Sequence, residues 1–509
     1  MLAKVFSAAV VGLDAILIEV EVDIASQGLP NFTIVGLPDK SVDEAKERVR
    51  SAIRNSGADF PARRITVNLA PADLQKAGPS YDLPIAVGIL VASAQLKTDL
   101  SEVIITGELS LDGTVRVVPG VLPQAILAKS SHFPTLFLPL ANAKEATVIE
   151  GLTVYPVTSL LELFRHMQGS QLISPLPYSP FTALQDNPIY DFDMKDIRGQ
   201  ETAKRALTIA AAGGHNVLMK GPPGAGKTLL ARTLPSILPP LTFDEAVDVT
   251  KIYSISGLLN GEQIMTRRPF RSPHHTTSLV GLIGGSSNPK PGEITLAHRG
   301  VLFLDELPEF PRHVLETLRQ PIEDGVVHIA RAQSKVSFPA QCMLIAAQNP
   351  CACGYFGDPT KECTCPAASV LRYQKKISGP LLDRIDLHLT VPAVKVEKLT
   401  EKDSAETETS TEIRSHVTKA RKIQQERYTD YSYLSNAELS PKAIKEFCPL
   451  SPECIELLRN AVSSLQLSGR AYYRTIKVAR TIADLSNEES INPSHIAEAL
   501  QYRAQNDFL

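Results

Sequence analysis

The segment GPPGAGKT at 221–228 satisfies the pattern G-x-x-x-x-G-K-[ST] in full. It follows an apolar run, NVLMK, and opens a run of helix formers, TLLARTL. A loop in that position turns its backbone N–H groups inward, and the helix start adds partial positive charge, so the two together cradle phosphate. Gly221, Pro222, Pro223, Gly224, Ala225 and Gly226 are the expected cradle. Lys227 is expected to reach the β- and γ-phosphates of ATP, and Thr228 to ligate Mg²⁺. A chance glycine turn is the alternative, and the flanking strand and helix weigh against it.

The matching acids stand in GVLFLDE at 300–306. A buried apolar strand there delivers two carboxylates at its C-terminal end, the end outside which ligands of open α/β sheets sit. Asp305 is expected in the Mg²⁺ shell and Glu306 beside the attacking water. Two exposed acids at a strand end would be unremarked alone; downstream of a phosphate loop they read as its partner. The strand CMLIAAQNP ends at Asn349, placed to orient that water. GPLLDRIDL places Arg384 where an arginine donated to a neighbouring subunit would stabilise charge on the transferring phosphoryl group. The plainer alternative for Arg384 is an intrachain pair with Asp383 or Asp386. LSGRAYYRTIKVAR offers Arg470 as a second γ-phosphate contact, with Arg474 one helical turn on as the runner-up.

The elements that position these residues divide the chain. At 509 residues it is too long for one typical domain. Residues 1–167 mix alternating strands with helices and read as an α+β domain. Residues 168–191, rich in Pro, Ser and Tyr, read as a linker. Residues 192–396 alternate buried apolar strands with helices, the pattern of an α/β domain with a parallel sheet. An acidic loop at 397–411 leads into a helical block at 412–509. No apolar run approaches a membrane span, and the start carries Asp14, Glu19, Glu21 and Asp23, so it reads as a strand rather than a leader. The expected location is cytoplasmic. A net charge of −3 argues against a broadly basic nucleic-acid surface.

Longer segments carry a resemblance. DIRGQETAKRALTIAAAGGHNVLMKGPPGAGKT, RPFRSPHHTTSLVGLIGG, PGEITLAHRGVLFLDELPEF and SGPLLDRIDL resemble the magnesium-chelatase-like branch of AAA+ ATPases. The long N-terminal block narrows this to the ComM/YifB family, over nearly the whole chain. The resemblance implies a homo-hexameric ATPase using ATP and Mg²⁺, with a helical lid. It implies a helicase that migrates DNA branches during natural transformation, with recombination proteins as partners. It also implies two pore elements, a helix-2 insertion at about Arg268–Ala297 and a pre-sensor hairpin at about Gly325–Ala340. The residues fit: VVHIARAQSKVSFPA alternates around a polar turn bearing Arg331 and Lys335, and the insertion's loop of Gly281, Gly284, Gly285, Ser286 and Ser287 carries one charge, Lys290. Six copies of Lys335 around a pore would concentrate positive field despite the acidic total. Basic residues also gather at Arg267, Arg268, Arg271, His274 and His275, either as a functional patch or as a solvated or interface surface. A chelatase-type motor that remodels a protein partner is the competing class.

QKAGPSYDLPIAVGILVASAQL and TGELSLDGTVRVVPGV resemble the proteolytic domain of Lon proteases. In that family a G-P-S serine is the nucleophile and a lysine downstream is its base. Ser80 stands at the serine position, but the lysine position falls at Leu122 or Pro123. Tyr81 and Asp82 replace the small residues usual after the serine. Lys129 lies two helical turns too far, and Lys76 is near in sequence but not at the family's position. A serine without a base is a poor nucleophile, so the expectation is a Lon-like fold without peptidase activity.

Seven cysteines include Cys351-Ala-Cys353 and Cys363-Thr-Cys365 just past Asn349. Four thiolates on a short loop could bind Zn²⁺, although C-x-C is tighter than the usual spacing; free or redox-labile thiols are the alternative. Cys342, Cys448 and Cys454 read as ordinary core or helix residues.

Overall fold

A computed structural model of the chain describes residues 2–185, 190–285, 289–330, 335–359, 361–394, 408–431 and 433–503, with Ala330 and Lys335 described by backbone alone. These residues divide into two units: Met1–Asp186 with Thr242–Thr266, and Asn187–Leu241 with Arg267–Leu509.

The first unit is built on a seven-stranded mixed sheet. Its order is Asn31–Val35, Arg64–Ala70, Asp14–Ile24, Leu2–Val11, Val103–Ile105, Thr135–Pro139, Thr153–Val157. The alternation in DAILIEVEVDI explains its long strand: Ile18, Val20, Val22 and Ile24 are buried, while Glu19 and Glu21 take the other face beside Lys4 of the antiparallel neighbour. Helix Asp82–Ala92 is apolar all round, and nearly every residue of it is buried, as such a sequence requires. Thr242–Thr266 contributes helix Phe243–Ser256, begun by a reciprocal Thr242–Glu245 cap. That helix packs on helix Val121–Ser130, and its Ser254 hydroxyl donates to the buried Glu145. The first unit is therefore assembled from two separated stretches of chain.

The second unit holds a five-stranded parallel sheet in the order Phe270–Arg271, Val301–Leu304, Met343–Gln348, Val217–Lys220, Leu387–Thr390. Each central strand is a short, continuously apolar run, buried on both faces. Helices Ser410–Arg427, Pro441–Phe447, Pro452–Leu465, Gly469–Leu485 and Pro493–Gln501 follow. The α/β class with a parallel core sheet and a helical C-terminal block, read from the sequence, is the architecture observed.

A buried polar chain ties the sheet to those helices. Asp386, just before the last strand, accepts from Arg474 and from the Asn216 N–H at 3.2 Å, and lies 3.3 Å from His215 Nδ1. His215 Nε2 lies 2.8 Å from Thr481, which accepts from Asn436 at 2.9 Å. Burial alone would raise the Asp386 carboxyl, but Arg474 and His215 outweigh it and hold it well below the usual carboxylate range.

Candidate functional site

The parallel register gathers the chemistry at one sheet edge. Lys220 pairs with Gln348, and Leu304 with Ala346, so Gly221 and Asn349 leave their strands at the same level and Asp305 leaves the adjacent strand two residues behind, level with Ala347. The loop after Val217–Lys220 turns through Gly224 (φ 77°) and Gly226 (φ 87°). Both lie in the left-handed region that glycine adopts without strain, and both have open space where a side chain would stand. Helix Lys227–Ile237 begins there.

Lys227 is buried. Its Nζ donates to the carbonyls of Gly221 at 2.7 Å and Pro222 at 2.9 Å, and to Asn349 Oδ1 at 3.1 Å. Burial lowers its pKa, against the opposing pull of Asp305 and Glu306. Thr228 Oγ1 donates to Asp305 Oδ2 at 2.8 Å. The Glu306 N–H donates to Asp305 Oδ1 at 2.9 Å, and Glu306 itself takes a left-handed φ of 50°. Glu306 Oε2 stands 3.6 Å from His275 Nδ1, and His275 lies against His274 with ring centroids 4.0 Å apart. Lys227, Thr228, Asp305, Glu306 and Asn349 are thus brought together. An open glycine loop, a buried ammonium on replaceable carbonyls and a paired hydroxyl and carboxylate fit a nucleotide triphosphate with Mg²⁺.

Three family descriptions match the chain: "Magnesium chelatase, subunit ChlI" over residues 193–399, "Subunit ChlI of Mg-chelatase" over 20–142, and "Magnesium chelatase, subunit ChlI C-terminal" over 407–503. The chain is 46% identical to the Competence protein ComM of Haemophilus influenzae over 99% of its length and 97% of that protein. The chain belongs to the ComM/YifB family. It is also 42% identical to the uncharacterized YifB of Salmonella typhimurium, over 99% of this chain and 97% of that one. A shorter stretch, 30% of the chain, is 28% identical to 21% of the Lon protease of Mycolicibacterium smegmatis. As a magnesium-chelatase-like AAA+ member the chain carries the family's ATPase character, with ATP and Mg²⁺.

In this ComM/YifB chain the arginines are engaged. Arg384 pairs with Glu323, not with Asp383 or Asp386, and its Nη1 donates to the Pro380 carbonyl at 2.7 Å. Arg470 reaches the same Glu323 at 3.7 Å. Arg474 is committed to Asp386 and, at 2.8 Å, to the Arg384 carbonyl. Two members of the basic cluster, Arg268 and Arg271, are engaged, while Arg267 and His274 are exposed. Arg268 donates to the carbonyls of Pro239 and Arg299, and Arg271 makes a two-pronged pair with Glu293 at 2.7 and 2.8 Å. His275 and Glu323 are the neighbours of the site that sequence reading did not assign. The SPHH run marks His275, but nothing local marks its proximity to Glu306.

Strands Val326–Ala330 and Lys335–Pro339 pair antiparallel, Ala330 opposite Lys335. Arg331 lies outside the described residues, as does the side chain of Lys335. Lys290 is exposed, opposite Gly285 in a two-residue pairing; Ser286 and Ser287 lie outside the described residues. In the first unit, Ser80 sits in a short turn, Pro79–Tyr81. Lys76 is buried, and its Nζ donates to the Pro71 carbonyl. Asp82 is fully buried on Arg48 at 2.6 and 3.0 Å. Leu122 and Pro123 are buried in helix Val121–Ser130, and Lys129 is exposed at its end. The sulfurs of Cys351, Cys353, Cys363 and Cys365 all lie within 4.8 Å of one another. Among the described residues no helix is long and apolar enough to cross a membrane.

Proposed function

We propose that this chain is a homo-hexameric, ATP-driven DNA translocase that migrates branches in recombination during natural transformation, in the cytoplasm with recombination proteins as partners. The observation that carries the reading is the joining of Lys227, Thr228, Asp305 and Asn349 at one sheet edge in a near full-length relative of a competence protein.

Lys227 exchanges its loop carbonyls for the β- and γ-phosphate oxygens, and the loop N–H groups of 221–228 hold the rest of the chain of phosphates. Thr228 and Asp305 are the residues that would hold Mg²⁺, which would supply positive charge to the phosphate oxygens. ATP supplies the phosphoanhydride whose hydrolysis drives the motor. Glu306 accepts a proton from the attacking water, and Asn349 orients that water. His275 stands beside the Glu306 carboxylate, 3.6 Å from its Oε2. Arg384, given to the neighbouring subunit on assembly, and Arg470 stabilise charge on the transferring phosphoryl group. Lys335, Arg331 and Lys290 contact the DNA backbone in the pore. The first unit works without peptidase chemistry, because Lys76 is spent on Pro71 and no base stands at the position of Leu122 and Pro123.

The exposed Leu279 and Val280 of the insertion favour a second reading, a motor that remodels a protein partner. ATPase rates with branched, single-stranded and duplex DNA separate the two. The DNA motor requires stimulation by DNA that weakens as salt rises, strand displacement that is lost in Glu306→Gln, and a stimulated rate reduced in Lys335→Ala. ATP hydrolysis that no DNA form accelerates or couples to strand movement removes the DNA reading.

A further inference from the structure

Directly after Asn349 the chain folds Cys351, Cys353, Cys363 and Cys365 onto one point. The Sγ atoms of Cys351 and Cys353 are 3.3 Å apart, those of Cys351 and Cys363 3.7 Å, and those of Cys353 and Cys363 3.6 Å. Four sulfurs bound at about 2.3 Å around a tetrahedral Zn²⁺ stand about 3.8 Å from one another. A disulfide requires about 2.05 Å, and all seven cysteines are free. The observed spacing is therefore that of one metal ion, with no pair drawn together for oxidation. The surroundings suit thiolates. Cys351 is fully buried, and the Phe356 N–H donates to its sulfur at 3.3 Å, which stabilises charge on a sulfur taken out of water.

The turn that carries the sulfurs is pressed against the phosphate loop. Gly354 has φ 89°, and a Cβ there would stand 2.5 Å from Pro223 Cδ and 2.6 Å from its Cγ. Only a glycine lets the cysteine turn and the Pro223 ring come this close. On the other side of the turn, the Pro350 carbonyl accepts from Gln374 Nε2 at 3.0 Å. Asn349, one residue earlier, holds Lys227. The cysteine turn thus bears on the phosphate loop at two points, Pro223 by packing and Lys227 through Asn349.

We propose that Cys351, Cys353, Cys363 and Cys365 bind one Zn²⁺ as a tetrathiolate knuckle, and that this knuckle is a strut that positions Pro223 and Asn349 for nucleotide binding. The second part rests on reading 221–228 as the nucleotide loop. A free turn of this length would have no reason to hold one geometry, because loss of backbone freedom must be offset by a bond. Four metal–sulfur bonds supply it.

The test uses the full chain purified under reducing conditions. One zinc per chain is expected by elemental analysis, released in proportion to thiol modification, and cobalt substitution is expected to give the visible absorption of a tetrahedral tetrathiolate. Cys365→Ser, at the less buried end, and the double variant Cys351→Ser/Cys363→Ser are expected to lose the metal, while Lys227→Ala retains it. In the metal-free Cys365→Ser protein, with its circular dichroism unchanged, a fluorescent ATP analogue is expected to bind about 10-fold more weakly or turn over up to about 100-fold more slowly, the scale of a misplaced reacting group. Protein isolated without stoichiometric zinc, or with another metal in its place, overturns the zinc site. Zinc lost with nucleotide affinity and turnover intact overturns the strut. A wild type that holds zinc but binds no nucleotide instead overturns the nucleotide reading and leaves the metal site standing.

Discussion

Lys227 and Asn349 meet across 122 residues of sequence, ammonium to amide oxygen at 3.1 Å. Lysine and asparagine have different work once phosphate arrives. On the proposed reading Lys227 brings the charge that holds ATP, whereas Asn349 aims a water. Lys227→Ala is therefore expected to abolish measurable nucleotide binding. Asn349→Ala is expected to keep binding within a few-fold and lower turnover by about 10²–10³, the range for removing one positioned polar contact in a transition state. Equilibrium binding beside single-turnover hydrolysis separates them. Equal losses in both assays would make Asn349 a part of the binding loop only.

Glu323 takes both Arg384 and Arg470. It is nearly half exposed, so these pairs contribute little to stability, under about 1 kcal/mol. On the proposed reading their consequence is positional: an arginine held at home is not available to a neighbouring subunit. Glu323→Gln is expected to leave the melting temperature nearly unchanged and the assembled ATPase at or above the wild-type rate. Arg384→Ala is expected to lower that rate by about 10³. A loss in Glu323→Gln as large as in Arg384→Ala would instead make the pair part of the folded site.

The contrast between these residues shows what a sequence carries. The phosphate loop, the acids after GVLFL and Asn349 are legible because each is a local pattern on a strand end, and parallel strands deliver their ends to one edge. The pairing of Val326–Ala330 with Lys335–Pro339 is legible for the same reason, since period-two alternation around a polar turn specifies a hairpin. The partnership of Arg384 with Glu323, 61 residues apart, has no local signal, and neither does His275 beside Glu306. Nor does the apolar period of helix Phe243–Ser256 reveal which body it joins. Amphipathic periodicity says that a face is buried, not against what.

Acidity is expected to act oppositely on the two units. In the first, burial raises the Glu145 carboxyl to about 7 from an ordinary 4.5. Its proton is then kept on folding and lost on unfolding, so its contribution is full below 4.5 and disappears as pH rises through about 7. In the second, burial lowers His298 to about 3 and His388 to about 4, from an ordinary 6.5. Their contribution is full above 6.5 and is lost as pH falls through those values. Raising pH from about 4.5 to 6.5 is thus expected to weaken protection in the first unit by on the order of 2 kcal/mol and to strengthen it in the second by about twice that, since two histidines act there. Hydrogen exchange read by mass spectrometry follows the units separately. Glu145→Gln is expected to flatten the first dependence, and an unchanged slope in that variant would place its cause elsewhere.

Arg474 and Arg470 stand one helical turn apart, yet their environments differ enough to separate structure from catalysis. Arg474 neutralises the buried Asp386 and caps the Arg384 carbonyl, whereas Arg470 is mostly exposed. Removing Arg474 leaves a carboxylate in the interior hydrogen-bonded, among the described residues, to His215 and one backbone N–H, and breaking such a pair costs about 3–5 kcal/mol. Arg474→Ala is expected to lower unfolding stability by about that amount, and Arg474→Lys to recover only part, because Nη1 makes both contacts and the shorter lysine stem does not carry its ammonium to that point. Arg470→Ala is expected to leave stability within about 0.5 kcal/mol while lowering ATP turnover. Denaturant unfolding of the second unit, run beside turnover at saturating ATP, gives both quantities. A stable Arg474→Ala protein with turnover lost would exchange the two roles and make Arg474 the side chain that reads the γ-phosphate.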